Sequence, residues 1–271
     1  MKYNYFIAIL LVVFLASCSS DNDNTPENTN GSENNYLPVE NGDYWVYDVS
    51  GEFPGRDSLY VANDTMINNT SYQKFKTKEI AFGFFSGSLA GNGVRKNGDK
   101  LLVSGSTGID LMEGFPINLE VTDFVIFKES ASENEQLSST SGTFTYNFEE
   151  IPLEFDYTMK SVAGQSLASY TVPNYGTYED VKVVKVIVNL KIVAIVPAGE
   201  INFPVDVLAA QDVVVSTQYY AKNIGMIYST TAINYELEDF SLLDIELPFP
   251  SSGNQNIKEY LADYSVATPA N

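Results

Sequence analysis

From Tyr36 onward apolar and polar residues alternate along most of the chain, and a period of two predicts strands. Phe144, Tyr146 and Phe148 share one face, as do Ile151, Leu153, Phe155, Tyr157 and Met159, with the parity changing at Glu149-Glu150. Such a slip by one residue requires a bulge or a tight bend. Residues 181–196 form a near-continuous apolar run broken by Lys182, Lys185 and Lys191 and ended by Pro197-Ala198-Gly199, which predicts a long strand buried mostly on both faces. Residues 213–220 and 226–235 flank Asn223-Ile224-Gly225, whose asparagine and glycine suit the positive φ of a hairpin connection. Further strands are expected at 44–49, 58–62, 72–78, 101–104, 119–128 and 241–247. Only the tail breaks the period. Ile257, Tyr260, Leu261 and Tyr264 fall at i, i+3, i+4 and i+7, predicting a short helix capped by Asn254 or Asn256. The fold class expected is all-β: an antiparallel curved sheet forming a partly open barrel or a sandwich, with that short C-terminal helix against an edge or opening.

The first residues follow a different pattern. Lys2 precedes an apolar run from Phe6 to Leu15, and Ala16-Ser17 supply the small residues a signal peptidase needs. The run is shorter than the roughly 20 apolar residues a membrane span requires. Leu15-Ala16-Ser17-Cys18 resembles the lipobox of bacterial lipoproteins. That resemblance implies a cut before Cys18, acylation of its thiol and of the new N-terminal amine, and a lasting hold on the membrane, since each buried CH2 adds about 0.8 kcal/mol. Residues 19–35 hold no aromatic or large aliphatic residue and read as a disordered acidic tether with a mean span of about 20 to 25 Å. The chain thus divides into a signal peptide at 1–17, the lipidated cysteine and tether at 18–35, and one β-rich domain at 36–271. Acidic residues just after the cysteine also resemble signals that send lipoproteins of Gram-negative cells to the outer leaflet, implying an outer-membrane, surface-facing protein.

Composition then removes most chemistry. The chain has no histidine and a single cysteine, so Ser-His-Asp and Cys-His catalysis and the usual zinc sites are excluded, and no disulfide forms within the chain. Removing residues 1–17 takes away Lys2 and no acid, leaving 14 basic against 35 acidic residues. Nucleic acid is disfavoured as a partner on charge grounds. No cofactor is expected.

Three stretches, Tyr36-Leu37-Pro38 with Gly42 and Trp45-Val46-Tyr47, then residues 175–181 (YGTYEDV), then residues 219–225 (YYAKNIG), together resemble the exported β-rich bacterial proteins of the TapB-like kind. The resemblance implies a partly open barrel like that of lipoprotein carriers and brings no catalytic residue. Met226-Ile227-Tyr228 departs from the family's more polar exit after the glycine.

Candidate chemistry is sparse. Glu149, Glu150, Glu154 and Asp156 contain the paired acids a glycosidase would use, yet Glu154 and Asp156 alternate with Leu153, Phe155 and Tyr157 and read as a solvated strand face. Glu236, Glu238, Asp239, Asp244 and Glu246 lack calcium-loop spacing, and in residues 21–26 (DNDNTP) Pro26 stands where the loop glycine belongs. Trp45 reads as core, with a sugar-stacking platform as the alternative. Residues 83–93 (GFFSGSLAGNG) read as a flexible loop presenting Phe84 and Phe85, a candidate binding lip. Asp57-Ser58-Leu59 and Asp64-Thr65-Met66 resemble O-glycosylated triplets of exported proteins. The function expected is a non-enzymatic, lipid-anchored binding module for a glycan, a lipid or a neighbouring protein, and the alternative is a carboxylate-dependent extracellular polysaccharide hydrolase.

Overall fold

The computed structural model describes residues 35–112, 115–148, 151–198, 201–239 and 250–267. The strands are β1 Tyr44–Ser50, β2 Gly55–Ile67, β3 Thr70–Thr77, β4 Gly93–Asn97, β5 Lys100–Met112, β6 Phe115–Lys128, β7 Gln136–Phe148, β8 Ile151–Val172, β9 Gly176–Ala198, β10 Ile201–Ala221, β11 Gly225–Glu236 and β12 Ser252–Ser265. Among the described residues one short helix, α1 Phe84–Leu89, lies between β3 and β4. All twelve strands join one antiparallel sheet in the order β6-β5-β4-β3-β2-β1-β12-β11-β10-β9-β8-β7. The sheet curls into a nearly closed barrel. Its seam is joined without a strand ladder, by Ser161 Oγ of β8 donating to the Val125 carbonyl of β6 (2.5 Å) and Lys182 Nζ of β9 donating to the Glu129 carbonyl just after β6 (2.6 Å).

Because neighbours alternate in direction, connections fall at two rims. The upper rim carries the β1–β2 and β3–β4 connections and the last described residues of β5, β7, β9 and β11, and the lower rim the β2–β3, β4–β5, β6–β7, β8–β9 and β10–β11 connections together with the first described residues. At the lower rim Tyr36 and Leu37 turn inward as a plug, with Tyr36 against Phe127 at 5.1 Å. The expected hairpin at 223–225 is present, with Asn223 at φ 60 and Gly225 at φ 117. Gly225 is needed for closeness as well as for φ, since a Cβ there would stand 2.8 Å from Trp45 Nε1.

Three expectations are corrected. The tail is not a helix: β12 lies between β1 and β11, bonded to both. A lone helix of that length is marginal, whereas Ile257, Tyr260 and Tyr264 are good strand formers, and the lane between two strands satisfies the backbone on both sides. The strand at 181–196 is not buried on both faces. Val184, Val186, Val188, Leu190, Ile192 and Ala194 face the core, while Lys185 is exposed on the other side. Residues 83–93 are not a loop throughout, because they contain α1. The change of parity falls between the end of β7 and the start of β8, where Phe148 pairs with Ile151. The strand expected at 241–247 lies outside the described residues.

The β5–β6 hairpin is bent where Asp123 takes a left-handed φ of 50. Its carboxylate accepts from Arg95 Nε (2.9 Å) and Nη2 (2.8 Å) and from the Tyr72 hydroxyl (2.5 Å), and this pairing holds the carboxyl below its ordinary range.

Candidate functional site: the plugged upper mouth

The interior is asymmetric in polarity. Along β10, β11, β12 and β1 the inward phase of the alternation carries Ser216, Gln218, Tyr220, Ser229, Thr231, Glu259 and Tyr47, all buried. Across from them β5, β6, β8 and β9 present Val103, Val121, Phe124, Ile126, Met159 and Val186. Between the two walls α1 enters from the upper rim.

α1 has no intrinsic reason to be helical. It is six residues long, includes Gly87, and is preceded by Gly83, which offers no side-chain cap. Its free N–H groups are met by carboxylates from other strands. Asp57 of β2 accepts from Phe82 N and Gly83 N, both at 2.9 Å. Glu259 of β12 accepts from Phe85 N (2.8 Å), Ser86 N (3.0 Å), Ser86 Oγ (2.9 Å) and Ser229 Oγ (2.9 Å). Such charge-assisted bonds are among the stronger a protein makes. Gly83 is required by proximity, since a Cβ would sit 2.2 Å from the Glu259 carboxylate. The helix then inserts Phe85 edge-on between Tyr47 (5.9 Å) and Tyr220 (6.1 Å).

Burial raises the Glu259 carboxyl above its ordinary value, and the four donors only partly offset that shift. Burial likewise raises the Tyr47 and Tyr220 hydroxyls, with the Glu259 charge adding to it. Both hydroxyls donate, Tyr47 to the Met226 carbonyl (3.0 Å) and Tyr220 to Gln218 Oε1 (2.7 Å). The polar wall continues with Gln218 Nε2 donating to Ser216 Oγ (3.2 Å) and Thr231 Oγ1 to the same oxygen (2.9 Å).

Beneath α1 a cavity of about 40 Å³ remains, lined by Phe84, Phe85 and Leu89 of the helix and by Val103, Phe124, Ile126, Met159 and Val186 of the wall. Its polar neighbours are engaged elsewhere, Ser88 Oγ with the Phe85 carbonyl and Thr107 Oγ1 with the Ser88 carbonyl. A water needs two to four polar partners, so the space suits an apolar group better.

Outside the barrel, the β8–β9 hairpin crosses its neighbours. Tyr170 stacks on Tyr219 (4.3 Å) and Tyr175 on Tyr260 (4.9 Å), while the Tyr175 hydroxyl donates to Asp48 on β1 (3.1 Å). Burial, reinforced by Tyr219, pushes the Tyr170 hydroxyl up to about 12. The rings cover one another and pin the hairpin to the wall.

Of the residues singled out in the sequence, Phe84 and Phe85 meet at the plug, with Phe84 on the cavity and Phe85 in the core. Trp45 is not with them. It is fully buried near the lower rim, stacked on Phe75 (6.0 Å) and donating from Nε1 to the Ile224 carbonyl (2.6 Å). Glu154 and Asp156 are exposed, and Asp156 accepts from Thr143 (2.7 Å). Cys18, Glu149, Glu150, Asp244 and Glu246 lie outside the described residues. Reading the sequence missed Asp57 and Glu259 as the anchors of the site. The available signal was Glu259 itself, a charge in phase with Ile257 and Leu261 once the tail is read as a strand.

Compared with protein-family models, with curated proteins and with solved structures, the chain matches none. The TapB-like resemblance gains nothing from these comparisons.

Proposed function

We propose that the chain is a non-enzymatic, lipid-anchored binding module of the outer membrane, with the α1-covered mouth as its ligand site. The observation that carries the non-enzymatic half is the state of its buried acids. Among the described residues these are Asp43, Asp57 and Glu259, and each is occupied by backbone N–H donors. Asp43 accepts from Glu40 N (2.9 Å) and Ala267 N (2.7 Å), and the other two hold α1. A glycosidase needs two acids free to face a bond, one to protonate and one to attack or activate water. The lipobox at 15–18 supports the anchored half.

Intact mass of protein extracted from membranes tests the anchor: the expected species begins at Cys18 and carries a diacylglyceryl group and an amide-linked acyl chain. Cys18→Ala is expected to leave the membrane fraction after a high-salt wash, and retention there would overturn the anchor. Hydrolysis of any polysaccharide, lost on replacing one acid, would overturn the binding role.

A further inference from the structure

The space under α1 belongs to one wall of the barrel. On the polar wall Tyr47, Ser216, Tyr220, Ser229, Thr231 and Glu259 are packed to 0 % exposure. Facing them Val103, Val121, Phe124, Ile126, Met159 and Val186 keep between 3 and 9 % each, and all six border the cavity of about 40 Å³. A water takes about 10 to 15 Å³ of such space, so there is room for about three groups of that size. A short run of carbons fits. A sugar ring would leave its hydroxyls unmet and costly, because Ser88, Thr107 and Gln218 are bonded within the protein. Phe84 reaches both the cavity and the solvent, being only part-buried, while Phe85 and Leu89 of the same helix are core. The carboxylates that hold α1 bind backbone N–H groups at 82, 83, 85 and 86, so the Phe84 side chain is free to turn while the helix stays in place.

We infer that this cavity receives the end of a hydrocarbon chain, with Phe84 as its door and a head group bearing no negative charge left at the mouth. This rests on the reading of the α1-covered mouth as a ligand site and names the class of its ligand. Lining and volume select the chain end. Charge selects the head: Asp57 and Glu259 anchor the backbone on either side of Phe84 and the protein carries a net charge of -20, so a carboxylate or phosphate head is repelled.

Isotope labelling of the methionine methyl groups in the full Cys18→Ala chain, which needs no detergent to compete with the probe, allows a titration with hexanol to be followed by NMR. Met159 borders the cavity, whereas Met66 on the surface and Met226 in the core near the lower rim serve as references. The Met159 methyl is expected to shift and saturate while the references stay still, and hexanoate to bind at least tenfold more weakly. Val186→Phe fills the space and should remove the shift; the milder Val121→Leu should weaken it and serves if the first variant does not fold. Phe84→Ala takes away the door and should speed exchange between free and bound hexanol. A Met159 methyl that stays still to the solubility limit, moves no more than Met66, or answers hexanoate equally overturns the proposal. So does a shift that the folded filling variants leave unchanged. Those results leave the binding role standing, since that role falls on polysaccharide hydrolysis. Exchange unaltered by Phe84→Ala overturns the mouth as the entrance, and with it the ligand site proposed above.

Discussion

Replacing Glu259 with alanine is expected to cost about 3 to 5 kcal/mol of stability, because it strands the N–H groups of Phe85 and Ser86 in an apolar interior and each unmet buried donor costs about 1 to 3 kcal/mol. Urea denaturation should show a lower midpoint, and limited proteolysis should open residues 78–92 first. The hydroxyls of Ser86 and Ser229 can rotate to other acceptors, so they add less. Gly83→Ala should act in the same direction with the carboxylate still present, since its Cβ would occupy the space of the Glu259 side chain. The pH dependence has a definite sign. A carboxyl raised by burial contributes stability that is fully present below its ordinary value of 4.5 and is lost as pH climbs through the raised value. Glu259→Gln cannot titrate and should lack that decline. An alanine variant within about 1 kcal/mol of wild type would show that α1 is held by its apolar contacts alone.

The same residue shows where the sequence was legible and where it was not. Alternation located β1, β3, β6, β11 and the second half of β10 well because each puts large apolar residues on one face and polar ones on the other, while residues 201–212 of β10 were not expected as strand. It failed at β4 and the first half of β7, where GVRKN and QLSSTSG carry too few apolar residues to reveal a phase. It also failed at β12, where Ile257, Tyr260, Leu261 and Tyr264 satisfy a helical stripe while Glu259 and Asp263 interrupt the strand alternation. Tertiary context decided that segment, since the lane between β1 and β11 offers hydrogen bonds on both sides. α1 was illegible for a related reason. The N–H groups of its first turn meet the single Glu259 side chain more than 170 residues later in the chain, and those of Phe82 and Gly83 just before it meet Asp57 about 26 residues earlier, so no local rule could register them. The site therefore depends on two acids whose roles appear only when β2 and β12 are placed around the same mouth.

Trp45→Ala is expected to destabilise the barrel by about 3 to 5 kcal/mol, the usual cost of emptying a large buried aromatic site. Trp45 is fully buried, and its ring stacks on Phe75 while Nε1 donates to the Ile224 carbonyl at 2.6 Å. Truncation leaves a void behind β1 and an unmet carbonyl in the β10–β11 turn. The turn has little room to collapse into that void, because Asn223 N is bonded to the Asn35 carbonyl and Leu37 also packs near Gly225. Trp45→Phe should fall between wild type and alanine, since it keeps most of the packing and loses the hydrogen bond. Circular dichroism in urea measures all three. The chain's only tryptophan also reports on itself: its emission in the wild type should be that of an indole shielded from water. A sugar-stacking platform would behave in the opposite way, with solvent-exposed emission and an alanine variant that loses a glycan ligand at unchanged stability. That result would move the binding site from the α1 mouth to the lower rim.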